Sequence, residues 1–168
     1  NCTSLTHIAF GYMFNQPLHI FLCNCPFLVH LELDLMFNQK LDLPHNIRSL
    51  NLNSNNGNLV DYLPDSIEKL KLGYNFNLKL DNLPSTIKKI IFDKYSKYDK
   101  KLNCLPNGLE ILQLPIEYNG QIQNIQPMLK KLICPADYQF IKDFVNFKLE
   151  TYLEYNKAVY ALCSNINN

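Results

Sequence analysis

Two histidines and a carboxylate have the plainest capacity for chemistry in this chain: His7, His30 and Glu32. Imidazole nitrogens with a carboxylate oxygen form a ligand set for zinc. No surrounding pattern supplies the second residues that would orient those imidazoles, so exposed neighbours on a strand remain the simpler reading. Cys23 and Cys25 are separated by a single residue, whereas zinc knuckles keep two to four between their thiols. No Gly-rich phosphate loop or nucleophile motif is present, and none of the four histidines has a catalytic context. The expectation is therefore no catalytic residue, no cofactor and no metal, in a protein that is not an enzyme. Lys94, Lys97, Lys100 and Lys101 make a basic stretch with only Tyr95 and Tyr98 interleaved. That is thin for stacking on nucleic-acid bases, and a solvated loop is the expectation.

The elements that must carry these residues follow from a repeat. The phrase Leu-Pro-x-x-Ile/Leu-x-x-Leu-x-Leu recurs, most cleanly from Leu63 to Leu72 and from Leu83 to Phe92. Its first apolar residue after the proline aligns at Leu5, Leu28, Ile47, Ile67, Ile87, Leu109 and Leu129, with spacings of 23, 19, 20, 20, 22 and 20. A period this short predicts one coil of a solenoid, too small to bury its apolar face without neighbours. Counting that residue as position 1, positions 4 and 6 are apolar and alternate with polar ones, as in Leu50-Asn51-Leu52 and Leu70-Lys71-Leu72. Such alternation predicts a strand with one buried face. Every coil runs in the same direction, so the strands should stack into a parallel sheet. Pro44, Pro64, Pro84 and Pro106 precede the strands, where a residue without an N–H fits a turn rather than a ladder. A second element, at positions 10 and 11, pairs an aromatic with Asn: Phe14-Asn15, Phe37-Asn38, Phe76-Asn77 and Tyr118-Asn119. The ring is expected to fill the wide end of the core and the amide to bond turn backbone or the amide of the next coil.

The Leu-Pro-x-[Ser/Thr]-[Ile/Leu]-x-x-Leu-x-[Leu/Phe] phrase with its following Phe-Asn resembles the FNIP repeat, a relative of the leucine-rich repeats. The resemblance covers about residues 5 to 134 and is best from Pro64 to Leu80. Several coils depart from it. Asn55-Asn56 replaces the aromatic pair in the third, Tyr98-Asp99 is displaced by an insertion in the fifth, Gly108 stands for Ser or Thr in the sixth, and the seventh shifts its proline to Pro127. The resemblance implies a protein-binding solenoid of the kind found in social amoebae and in large DNA viruses that infect amoebae. It also implies a substrate-binding arm of a ubiquitin ligase adaptor if an F-box precedes Asn1.

The chain has 168 residues, 47% of them hydrophobic, which is enough for one well-covered domain. The expected fold is mainly β: a leucine-rich-repeat-like solenoid of seven coils over residues 1–135, and a partly helical cap over 136–168 in the same structural domain. Ile141, Phe144, Val145, Leu149, Tyr152, Leu153, Tyr160 and Cys163 approximate a helical face there, while Leu149, 20 residues after Leu129, also fits a degenerate eighth strand. The first coil lacks the Leu-Pro approach and a polar cap, so further sequence upstream is expected. A formal net charge of +1 recruits neither nucleic acid nor an acidic membrane. No apolar run approaches the roughly 18 residues of a spanning helix. Six cysteines in a long, Leu-rich chain suggest reduced thiols and an intracellular, cytoplasmic setting rather than a disulfide framework.

What varies from coil to coil is the outward face. Position 3 reads His7, His30, Ser49, Lys69, Lys89, Ile111 and Lys131; position 5 reads Ala9, Glu32, Asn51, Lys71, Ile91, Gln113 and Ile133. Isoleucines on a water-facing row mark a partner site, unless the C-terminal segment or a neighbouring copy covers them. The recognition residues expected are Ile91, Ile111 and Ile133 as anchors, with Lys69, Lys71 and Lys89 setting charge preference. The function expected is a protein-interaction scaffold, with a structural or self-assembling role, for example in a virion, as the alternative.

Overall fold

The computed structural model describes residues 2–54, 60, 62–144 and 146–151. Its frame is one eight-stranded, all-parallel sheet in which each strand pairs with the next in chain order. The strands are β1 (His7–Phe10), β2 (His30–Leu33), β3 (Ser49–Leu52), β4 (Lys69–Leu72), β5 (Lys89–Phe92), β6 (Ile111–Gln113), β7 (Lys131–Cys134) and β8 (Lys148–Thr151). The register keeps like positions side by side: His7, His30, Ser49, Lys69, Lys89, Ile111 and Lys131 form one row across the sheet. A mainly β, leucine-rich-repeat-like solenoid is thus what the repeat builds.

Positions 4 and 6 supply the core. Leu31, Leu50, Leu70, Ile90, Leu112 and Leu132 form one fully buried row; Leu33, Leu52, Leu72, Phe92, Leu114 and Cys134 form the other. Burying each Leu or Ile contributes about 1.5–3 kcal/mol relative to exposure, and the period-2 alternation lets every coil add two such residues to one continuous core. The approach turns explain the prolines: the carbonyls of Pro44, Pro64, Pro84 and Pro106 accept from the N–H three residues on, at Ile47, Ile67, Ile87 and Leu109. In the seventh coil the acceptor is Gln126, and Pro127 takes the following place, where its fixed φ suits the same turn. The Ser/Thr slot before position 1 has a defined use as well. Ser66 and Thr86 donate their hydroxyls to the carbonyls of Ile47 and Ile67 one coil back, at 2.7 and 2.9 Å, and Asn46 donates its amide to Leu28 in the same way. Gly108 occupies that slot in the sixth coil, where a Cβ would come within 2.8 Å of the Ser85 carbonyl.

The aromatic rings stack from coil to coil, Phe14 on Phe37 at 6.2 Å and Phe76, Tyr98, Tyr118 and Tyr138 in series at 6.1–6.3 Å. Tyr98 is displaced in the sequence but not in space. The turn after β5 places Ser96 where other coils have the ring, and the two extra residues bulge so that Tyr98 still enters the stack. Asp99 then takes the place of the Asn, its N–H donating to the Asn77 side chain at 3.2 Å as that of Asn38 donates to Asn15 at 2.8 Å. The amides therefore bond turn backbone across coils, and Gln39 adds an amide-to-amide bond to Asn15 at 3.0 Å. Asn55-Asn56 lies outside the described residues.

Of the expected helical face, Ile141, Phe144 and Leu149 are among the described residues. Ile141–Phe144 forms a 3-10 turn with Phe144 buried, and the chain then enters β8. Leu149 pairs with Leu132, 17 residues back, so this last coil is shorter than the 20-residue register from Leu129 anticipates. The loop shortens because no Leu-Pro approach is built, and the 3-10 turn makes the return. Leu149 is therefore part of a strand. Tyr152, Leu153, Tyr160, Cys163 and Val145 lie outside the described residues. Among the described residues an α-helix, α1 (His19–Cys23), lies in the longer junction before β2.

Candidate functional site

The outward side chains of the sheet divide into three zones along the solenoid. At the β1–β2 end, the His7 and His30 rings stand 5.5 Å apart, tilted by 31°, close to the strand separation that their shared position dictates. His7 Nδ1 shares a hydrogen bond with the Thr6 hydroxyl at 2.9 Å. Burial is the main reason that His30 has its pKa lowered; the neighbouring His7 adds to this, Glu32 opposes it, and Lys69 and Lys71 lower it further. Among the described residues no group of three or more His, Cys, Asp or Glu side chains is placed to hold a metal ion. Beside this zone lies Asn51, which the alternation places toward water but which is only 7% exposed. It is a short amide between the longer Glu32 and Lys71 in its row.

The middle zone is cationic. Lys69, Lys71 and Lys89 are all exposed, Lys69 and Lys89 being register partners on β4 and β5. The third zone is apolar. Ile91 lies between Lys71 and Gln113 in one row, Ile111 between Lys89 and Lys131 in the other, and Ile133 between Gln113 and Glu150. The three isoleucines thus zigzag between the two outward rows across β5, β6 and β7. Each is half-buried rather than freely exposed, with longer side chains as its register partners. Gln113 is held down by donating Nε2–H to the Phe92 carbonyl at 2.9 Å. Lys131 is turned to Glu150, with their charges 2.7 Å apart. All six residues singled out from the sequence therefore fall on one contiguous surface of β4 to β7.

Two features of this surface escaped sequence reasoning. Position 2, just ahead of the strands, reads Arg48, Glu68, Lys88, Glu110 and Lys130 in consecutive coils. It is a row of alternating charge, with Arg48–Glu68 at 2.7 Å, Lys88–Glu68 at 3.3 Å and Lys130–Glu110 at 3.1 Å. Lys88 and Arg48 hold the Glu68 carboxyl below its usual range. Each exposed pair contributes at most about 1 kcal/mol, but the alternation disfavours a one-coil slip. It was legible as a sign change every 20 residues. The second is a stripe of exposed large side chains in the turns after the strands: Tyr12, Met13, Met36, Tyr74 and Tyr95, with the Lys94 ammonium 5.5 Å from the Tyr95 ring centre.

Other chemistry-bearing residues make local contacts within the solenoid. Lys97 pairs with Glu117 and Lys100 with Asp99, and Tyr98 is buried in the ring stack, which removes an aromatic from the basic stretch that nucleic acid would need. Cys23 is exposed and Cys25 buried, so the two thiols do not converge. The Cys25 thiol instead donates to the Phe21 carbonyl at 3.2 Å, and burial and the adjacent Cys2 thiol raise its pKa. Cys134 fills an apolar core position, and burial pushes its thiol up to about 11.

Residues 55–95 match the family model described as FNIP Repeat, a span that includes the coils of β4 and β5. A comparison with curated proteins finds no match. Among solved structures, the chain is similar to the crystal structure of CroV588, described as a novel circular LRR protein, at 21% identity and a TM-score of 0.46. The similarity covers 89% of this chain and 34% of that one, so this chain spans about a third of that protein's length. No helix among the described residues is long and apolar enough to cross a membrane.

Proposed function

We propose that this solenoid of FNIP repeats is a non-enzymatic protein-binding scaffold whose recognition surface is the outward face of β4 to β7. The observation that carries this reading is the cluster of Ile91, Ile111 and Ile133 on the water side of a sheet whose core is already complete on the other side. Apolar side chains there add nothing to the core, and clustered apolar residues ringed by charge are the usual energetic division of an interface. The FNIP resemblance supports a finer version, in which the scaffold is the substrate-binding arm of an F-box type ubiquitin ligase adaptor in a host or amoebal cytoplasm. A roughly 40-residue Leu- and Pro-rich helical segment encoded upstream of Asn1 would support that version, and its absence from the full gene would remove it.

The surface is tested by substitution. Ile91→Asp combined with Ile111→Asp should abolish partner capture while the circular dichroism spectrum stays that of the parent. Unchanged capture by the folded double variant would sink the assignment. A second reading, a self-assembling structural protein, is favoured by Leu149, which is 37% exposed on β8 where its equivalents on β2 to β7 are buried. An exposed core position on the last described strand invites edge-to-edge pairing. Sedimentation separates the two readings: an isolated recognition scaffold stays monomeric as concentration rises, and a self-assembling protein does not.

A further inference from the structure

Cations on this sheet are almost all neutralised, with one cluster excepted. Arg48 and Lys88 share Glu68, Lys130 has Glu110, and Lys131 and Lys148 share Glu150. Among the described residues no acidic group pairs with Lys69, Lys71 or Lys89. Their backbones set them close together. Lys69 and Lys89 face each other across one strand spacing of about 4.8 Å, and Lys71 is two residues along from Lys69 on the same face, about 6.7 Å away. Like charges directly opposite in a sheet weaken its pairing. The fold therefore carries a standing repulsion at the place where the isoleucine cluster begins, since Lys71 is the register partner of Ile91 and Lys89 that of Ile111. The positive field is felt two strands away, at His30.

We propose that the partner of this face is an acidic, extended protein segment lying across the strands from β4 to β7, with carboxylates on Lys69, Lys71 and Lys89 and apolar side chains on Ile91, Ile111 and Ile133. The proposal rests on the protein-binding reading and adds the partner's chemistry and direction. Three strand intervals span about 14 Å, which an extended chain covers in four or five residues at about 3.3 Å each, with every second side chain on one side. The segment therefore carries an Asp or Glu two or four residues from a Leu, Ile or Phe, so that both lie on the same side of the extended chain. Carboxylates would relieve the lysine repulsion on binding, while the apolar residue removes the isoleucine cluster from water. Steering by the lysines makes association salt-sensitive.

A random peptide library selected on the folded protein supplies the probes. Selected peptides are then measured against the parent, against the triple variant Lys69→Glu/Lys71→Glu/Lys89→Glu and against the double variant Ile91→Asp/Ile111→Asp, each checked for folding by circular dichroism. The expected result is an acid-apolar spacing of two or four residues among the selected sequences, with affinity falling by about tenfold or more in both variants (about 1.4 kcal/mol) and weakening as salt rises. Peptides that lose binding in the isoleucine variant but keep it after lysine reversal would overturn the acidic-partner inference and leave the scaffold reading intact. Peptides indifferent to both variants would overturn both. A single-stranded oligonucleotide that outcompetes the peptides, lost on lysine reversal and retained by the isoleucine variant, would overturn the inference in favour of nucleic acid.

Discussion

The two faces of the same seven strands, β1 to β7, obey different rules. Inward, positions 4 and 6 admit Leu, Ile, Phe and one Cys, and from β2 to β7 they are fully buried. Outward, positions 3 and 5 hold His, Ala, Glu, Ser, Asn, Lys, Gln and Ile in no repeating order. Neighbouring residues on one strand thus answer to different constraints: the inner ones to volume and shape, the outer ones to whatever lies against the sheet. Leu70 and Lys71 are adjacent in the chain and separate in consequence. The largest effect that sharpens this contrast is Leu70→Ala, expected to cost about 2–5 kcal/mol as a cavity opens between Leu50 and Ile90. Lys71→Glu should change the unfolding free energy by no more than about 0.5 kcal/mol. Urea unfolding of the two variants side by side checks it; comparable losses would mean that the outer face bears load.

The isoleucines test the boundary between the faces. Ile91→Asp and Ile111→Asp each lose a half-buried side chain, and the expected cost is about 1 kcal/mol or less apiece, within the span of strand propensity. A cost as large as that of Leu70→Ala would place them functionally in the core and remove the basis for reading them as partner anchors.

A finer contrast lies inside the ring stack. Tyr138 Oη donates to the Gly120 carbonyl at 2.7 Å and Tyr118 Oη to the Lys100 carbonyl at 3.4 Å, whereas the buried Tyr98 Oη and Ser96 Oγ find no partner among the described residues. The insertion that bulges the fifth coil keeps the Tyr98 ring in register but takes its hydroxyl off the carbonyl path. Burial raises the pKa of Tyr98, and no hydrogen bond opposes the shift. An unsatisfied buried hydroxyl costs about 1–3 kcal/mol, and a made hydrogen bond contributes about 0.5–1.5 kcal/mol. Tyr98→Phe should therefore stabilise the protein by about 1 kcal/mol, and Tyr138→Phe should destabilise it by about the same. Thermal or urea denaturation of both gives the signs. Destabilisation by Tyr98→Phe would mean that its hydroxyl is satisfied after all, for example by a buried water.

How much of this was legible in the sequence depends on the range of the signal. The strand positions, the parallel register and the direction in which Lys69, Ile91 or Ile133 points all follow from a period-2 pattern repeated at a period near 20, because each is set within one coil and then copied. The Pro turns and the Ser/Thr slot are equally local, although the acceptor for Ser66 or Thr86, a carbonyl one coil back, needs the stacked structure to be seen. What was not legible depends on neighbours. Asn51 is buried by the side chains beside it rather than by its own pattern. Tyr98 reads as displaced because alignment counts residues, while the stack counts only where a ring can pack. Leu149 matched two registers, and only the pairing with Leu132 decides between them. The half-burial of the isoleucines depends on how long the flanking side chains are, a property of the row and not of the repeat.

The smallest effect is a pH slope at the β1–β2 end of the outward face, and it separates that end from the lysine zone. Burial lowers the pKa of His30 below the ordinary histidine value of about 6.5, helped by His7, Lys69 and Lys71 and opposed by Glu32. The unfolded chain then binds a proton at this site at a higher pH than the folded one does. Below about pH 6.5 the unfolded state holds more protons, so stability rises with pH through that window and is lost as pH falls through it. His30→Gln should flatten that part of the profile while leaving stability above pH 7 nearly unchanged, as urea midpoints at pH 5.5 and 7.5 would report. The same slope in the variant would assign the acid sensitivity to other groups. The charge reversal Lys69→Glu/Lys71→Glu should flatten it partly as well, because those ammonium groups contribute to the shift from two strands away. That coupling would link the histidine end of the face to the cationic zone through the field alone, without any contact between them.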